Sequence, residues 1–171
     1  MNGAHDARII ARNAGLVATG AAGGALLRYG LGEWGKRRGQ GPMTIMAINI
    51  LGSFLLGSVT GALPGTPATL LVGTGFCGAF TTFSTYSVDV VKFAQAGQLA
   101  PAAGLAISTN VLSIGAAAAG LRLGASPTAA RILQSRPALR RLLPPSDASA
   151  PGASIKPSVP RGPPGLPPAA K

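Results

Sequence analysis

The sequence predicts an all-α integral membrane protein with four transmembrane helices per subunit, and three observations carry that prediction. Charged residues make up only 11% of the chain, against roughly a quarter in an ordinary soluble domain. Their placement says more: none lies between Arg38 and Asp89, and none between Lys92 and Arg122. A water-facing surface cannot be built from uncharged, apolar stretches of that length. The chain also holds 25 glycines, a composition suited to helices whose backbones touch in lipid.

A helix that crosses the hydrocarbon core needs about 20 mainly apolar residues. Residues 43–63 supply one span, stopped by Pro64-Gly65 and Pro67, which cannot continue a helix. Residues 68–96 form a second apolar stretch, long enough to tilt or to contain an interruption, and 99–123 a third. The least apolar is 13–31, rich in Gly and Ala with Arg28 near its end. A long cationic side chain there reaches an interface or a polar cavity. In chain order these are the third, fourth and first spans around 43–63, the second. The N-terminal stretch lacks the small-residue cleavage pattern of a signal peptide.

Small residues recur at the spacing of helix contacts: Gly20 with Gly24, the ladder Ser53, Gly57 and Gly61, and Gly120 with Gly124. Close approach through such residues is how helices associate in lipid, where burial of apolar area drives little.

From residue 125 onward the character changes, since eleven of the fifteen prolines fall there among Ser, Gly and Ala. Such a segment buries too little apolar area to offset its ordering entropy, so 125–171 reads as a disordered basic tail. Within it, residues 128–143 have the pattern of a basic amphipathic helix interrupted by Pro137. The net charge of +11 raises nucleic acid as a partner. Seven of the fifteen Lys and Arg lie in this tail with no aromatics between them, so the charge reads as facing anionic lipid instead. The positive charges flanking the spans are weakly biased, and only Arg131, Arg136, Arg140 and Arg141 shift the balance toward cytoplasmic termini.

Few groups are present for catalysis. One Cys (Cys77), one His (His5) and four acidic residues leave almost nothing for acid–base chemistry or a side-chain metal site. Cys77 reads as a small buried apolar residue, and His5 as a solvated side chain. The chain is not expected to be an enzyme.

The third span carries the chemistry. It reads Gly73-Thr74-Gly75-Phe76-Cys77-Gly78-Ala79-Phe80-Thr81-Thr82-Phe83-Ser84-Thr85-Tyr86. Glycine and β-branched threonine weaken a helix, so the segment is either interrupted or an unbroken packing helix whose hydroxyls bond back one turn. A break at membrane depth is tolerated only where it is buried in protein or lines a cavity. Freed carbonyls there can hold a cation, and the positive edges of aromatic rings can face an anion. Asn49, in the middle of an apolar span, must face a partner helix or a pore, because an unbonded amide in hydrocarbon is costly. Asp89 reads as an interfacial charge that pairs with Lys92 or Arg28.

Gly23-Gly24-x-x-x-Arg28-Tyr29, Asn49-x-x-Gly52-Ser53-Phe54-x-x-Gly57 and Gly75-Phe76-Cys77-Gly78-x-Phe80-Thr81-Thr82-Phe83-Ser84-Thr85 resemble the signatures of the Fluc/CrcB fluoride channel family, in order and spacing. The resemblance covers residues 13–124, which makes 1–12 an N-terminal segment, 13–124 a four-helix channel domain and 125–171 an added tail. It implies a multi-pass protein of the bacterial plasma membrane that lets fluoride leave the cytoplasm passively and so lowers its toxicity. The assembly it implies is an antiparallel, dual-topology dimer, of two identical chains or of this chain with a homologous subunit, with an interrupted third helix. The backbone carbonyls of Gly78 and Thr81 would hold a structural sodium ion at the dimer centre. Phe83 and Tyr86 correspond to the anion-coordinating aromatics, Asn49 to the pore-facing amide and Arg28 to the basic residue of the first span. Thr82 and Ser84 join the pore hydroxyls.

Two departures stand out: Tyr86 replaces the usual Phe, and the fourth span has no Tyr. That span offers Ser108, Thr109, Asn110 and Ser113, of which Thr109 and Ser113 share one face a turn apart and are the candidates for its polar track. Two other readings remain. A dual-topology small-molecule/proton antiporter needs a membrane-embedded carboxylate, which the first span lacks. A membrane scaffold would work through the basic tail and fail without residues 125–171.

Overall fold

The computed structural model describes residues 3–128 and Ser135, and among these it is helical with no strand. The expectations for the tail beyond residue 128, disorder and an amphipathic helix alike, lie outside the described residues. Helix α1 (Gly3–Arg37) begins well upstream of the expected span and runs 35 residues, roughly 50 Å at about 1.5 Å per residue. Its extra turns mix His5, Asp6, Arg8 and Arg12 with Ile9 and Ile10 and are exposed from His5 on, so they extend past the apolar stretch. Asp6 in the first turn and Lys36 and Arg37 in the last both complement the helix dipole.

Two tight turns make neighbouring helices antiparallel. After α1, Gly39 takes φ +69°, and Gln40 N–H donates to Gly35 O at 2.8 Å. This is the left-handed glycine closure that satisfies a helix's last carbonyls. Helix α2 (Gly41–Ala62) follows at once, with Pro42 in its first turn, where its missing N–H has no consequence. The second such turn uses Gly97, φ +75°, with Gln98 N–H donating to Phe93 O at 2.9 Å; it joins α4 (Phe83–Gln95) to α5 (Leu99–Gly124).

Between α2 and α4 the chain forms a wide π-helical segment, Thr69–Cys77, and one α-turn, α3 (Gly78–Phe80). There the helix breaks: Thr81 (φ −81°, ψ 159°) and Thr82 (φ −151°, ψ 122°) are extended. Of the two readings that the glycines and threonines allow, the structure takes the interruption, at Thr81-Thr82.

The glycines of the two pairs and of the ladder all act as helix contacts. A side chain on Gly57 or Gly61 would strike the carbonyls of Ala117 and Leu121 on α5, and one on Gly120 or Gly124 would strike those of Phe54 and Ser58 on α2. Helices α2 and α5 thus touch backbone to backbone over their C-terminal ends, Phe54 to Ala62 against Ala117 to Gly124. On the other side, Gly20 and Gly24 of α1 lie under the carbonyls of Leu71 and Phe76, while Gly75 receives Val17 O. The buried cluster Ile45, Ile48, Phe80, Tyr86 and Leu105 sits where the broken helix meets α2 and α5. Cys77 is buried as expected.

Helices α2 and α5 are each long and apolar enough to cross a membrane, yet only 22% and 17% of their most apolar windows are buried within the chain. Core helices of a soluble protein would be mostly covered. With Leu26, Ile107 and Ile114 also exposed, the outer faces need lipid or another chain: this is a helical membrane protein.

Candidate functional site

The break is held from three sides. The Asn49 side chain pairs with Thr82 in both directions: Nδ2 donates to Thr82 O at 3.0 Å, and Oδ1 accepts from Thr82 N–H at 2.8 Å. From α1, Arg28 Nε donates to Ala79 O at 3.0 Å. The Thr82 hydroxyl then caps α4, accepting from Thr85 N–H at 3.3 Å, as an N-cap threonine does. Broken backbone in an apolar setting persists only when such partners replace the lost helical bonds.

These replacements free particular carbonyls. In an unbroken helix the amides of Thr82 and Thr85 would reach Gly78 O and Thr81 O. Here the first is spent on Asn49 and the second on Thr82 Oγ1. Gly78 is exposed, with open space around its Cα. Uncommitted backbone oxygens are suitable donors for an alkali cation, so the pair fits the sodium set that the resemblance implies. A second copy facing this pair would double it.

Beside the break, α2, α4 and α5 border an open cavity of about 190 Å³. Asn49, Thr82, Phe83, Tyr86, Thr109 and Ser113, expected from the sequence, all line it. Ser53 and Asn110 line it too. Ser53 could have been found from its place one turn after Asn49 on the same face; it was read only as a packing residue. Thr109 is 4% exposed, and its hydroxyl and that of Ser113 are buried with no hydrogen-bond partner. Buried hydroxyls nearly always have partners, so two bare ones a turn apart mark a surface made for something else to contact. Asn49 spends one N–H on the break and keeps the other, since an amide nitrogen carries two.

Phe83 is the most exposed large apolar residue described, at 75%, and its ring lies 5.5 Å from that of Tyr86, tilted by 54°. Tyr86 is buried, and its hydroxyl donates to Ala106 O at 3.1 Å.

Ser84 and Arg28 lie elsewhere. Ser84 faces a second, larger opening of about 610 Å³ between the end of α1, the start of α2 and α4, together with Lys36, Asp89 and Lys92. Arg28 supports the break from the α1 side rather than lining the cavity. The expected pairing of Asp89 with Lys92 or Arg28 is not formed; among the described residues the ion pair is Lys36 with Glu33, at 2.8 Å. That lysine's hydrogen bond and charge hold the Glu33 carboxyl below its usual range.

A bundle with a broken helix, freed carbonyls and a hydroxylated cavity is the architecture of an ion pathway rather than of an enzyme. Residues 15–121 match the family model described as "CrcB-like protein, Camphor Resistance (CrcB)", and the chain belongs to that family. It is 44% identical over 124 residues to the "Fluoride-specific ion channel FluC 2" of Synechococcus sp. (strain CC9902), covering 71% of this chain and 87% of that protein. It is 40% identical over 111 residues to the protein of the same name from Bacillus cereus (strain ATCC 14579), covering 64% and 94%. A third relative of that name, from Natronomonas pharaonis, is 40% identical over 110 residues, covering 64% and 92%.

Proposed function

We propose that this chain is the subunit of a fluoride-selective, passive channel that lets fluoride leave the cytoplasm of a bacterial cell and so lowers its toxicity. Four spans cross the plasma membrane, the third being the broken one, and two chains assemble antiparallel with dual topology. Fluoride passes the cavity beside the break, and a sodium ion held by Gly78 O and Thr81 O of both copies braces the centre.

The observation that carries the reading is the pair of unpartnered hydroxyls, Thr109 and Ser113, facing Asn49 in one cavity. Fluoride is small and strongly hydrated, so a path must replace its water with several donors while holding none of the contacts tightly. Hydroxyls, one amide N–H and aromatic edges are donors of that strength; a lysine would bind the ion more firmly. No carboxylate lines that cavity among the described residues, which suits an anion and leaves an antiporter without its proton carrier. The names of the relatives agree with this substrate. Phe83, largely bare in one chain, and exposed Gly78 fit a surface covered by a second copy.

The test of assembly is single-cysteine accessibility in intact cells, with one engineered cysteine in the turn at 38–40. Labelling of that site from both membrane faces in one population is expected. Labelling from one face only would contradict dual topology.

A further inference from the structure

We propose that Asn110 is a positioning residue that ties the Tyr86 hydroxyl to α5, so that the ring of Tyr86, and not its O–H, meets the passing ion. The proposal rests on the ion-path reading of the cavity. A phenol has one proton to give, and Tyr86 gives it to Ala106 O at 3.1 Å. Asn110 Nδ2 donates to the same phenolic oxygen at 2.7 Å and to Ala106 O at 2.7 Å. Both donors of the Asn110 amide and the only donor of Tyr86 are therefore consumed in one closed group. The α5 residue that forms it lies one helical turn after Ala106 and 24 residues after Tyr86, so the contact joins α4 to α5.

The consequence lies in the strength of the cavity's contacts. The bare hydroxyls of Thr109 and Ser113 already face it. A third, acidic O–H swinging in from Tyr86 would add the strongest donor there and hold a small anion against release, and conduction needs binding weak enough to leave. With the hydroxyl tied back, Tyr86 offers only its ring edge, a weak positive contact. Asn110 thereby lets a tyrosine serve where a residue without a hydroxyl would need no tie.

The experiment compares four full-length proteins in liposomes: wild type, Asn110→Ala, Tyr86→Phe and the double variant, each assayed for fluoride and chloride efflux. Asn110→Ala is expected to slow fluoride efflux by about fivefold, the scale of one hydrogen bond. In the Tyr86→Phe background the same substitution is expected to change efflux by less than about twofold, within the error of independent effects. An equal loss in both backgrounds overturns the proposal, because Asn110 would then act without the phenol. No loss in the wild-type background, or complete loss on Tyr86→Phe alone, overturns it as well. If the wild type shows no selective efflux, the ion-path reading falls by itself. Thermal unfolding of the same four detergent-solubilised proteins then tests the tie. A midpoint lowered by Asn110→Ala only when the Tyr86 hydroxyl is present supports it, and an equal drop in both backgrounds overturns it.

Discussion

The side chain of Asn49 reads the backbone of Thr82 as a neighbouring strand would, accepting from its N–H at 2.8 Å and donating to its C=O at 3.0 Å. One amide from α2 thus replaces the helical bond that Thr82 N–H loses at the break, and adds a second partner to the carbonyl that starts α4. Asn49→Ala leaves that half-buried N–H unpaired and takes one of two bonds from the C=O, which costs about 1–3 kcal/mol. Thermal unfolding in detergent should show a clearly lowered midpoint. Asn49→Asp keeps the acceptor but loses the donor and adds negative charge to the cavity, so it should depress anion efflux more than stability.

Thr109 and Ser113 behave in the opposite way. Their hydroxyls contribute no internal bond, so Thr109→Val and Ser113→Ala should leave stability within about 1 kcal/mol of wild type or raise it, since an unsatisfied buried group is removed. Efflux should fall all the same. A parallel loss of stability and flux would mean that the hydroxyls are structural.

Gly120 sits against Phe54 O and Gly57 against Ala117 O, so even one added methyl must push α2 and α5 apart. Gly120→Ala should destabilise by about 1–3 kcal/mol, the usual cost of overpacking, and Gly120→Val by more. Gly115, on the same helix with open space around it, is the control: Gly115→Ala should be neutral or stabilising by helix propensity. Unfolding midpoints of the three variants check the contrast.

Arg28 bonds Ala79 O through Nε. Arg28→Met removes the donor while keeping much of the stem, and should cost about 1–3 kcal/mol, the range for a charged hydrogen bond. Arg28→Lys should recover part of it, because an ammonium on a flexible chain can still donate but lacks the planar fork. Relative unfolding midpoints of the two variants give the order.

Much of this was legible in the sequence because the relevant physics is local. Charge-free stretches bound α2, the broken helix and α5; Pro64-Gly65 ends α2; glycines at spacing four lie at both helix contacts. The break was half legible: Gly78 to Thr82 allow either an interruption or an unbroken packing helix, and only the family resemblance chose the interruption. What escaped the sequence depends on pairing across elements. Nothing local tells that Asn49 turns to Thr82 while keeping one N–H for the cavity, or that Asn110 meets Tyr86. The same distance from local signal separates Ser84 from Thr82: two residues apart, they share a 3.2 Å contact, yet a helix start between them points Ser84 into the other opening. The start of α1 was missed for a different reason. Apolar patterning marks where a helix meets lipid, and the turns of α1 before residue 13, exposed from His5 on, carry no such stretch.

The most direct measurement is efflux recorded with fluoride and chloride electrodes from liposomes holding the purified full-length protein. Wild type, Phe83→Ile and the Thr109→Val/Ser113→Ala double variant would be run side by side. The account predicts rapid fluoride release with chloride retained for the wild type, and fluoride release slowed at least about tenfold in both variants, as for a lost 1.4 kcal/mol or more of stabilisation along the path. Both should keep the size of the folded wild type. A folded wild type that releases no fluoride, or releases chloride as readily, would contradict the channel; a double variant that conducts like the wild type would remove the two hydroxyls from the path.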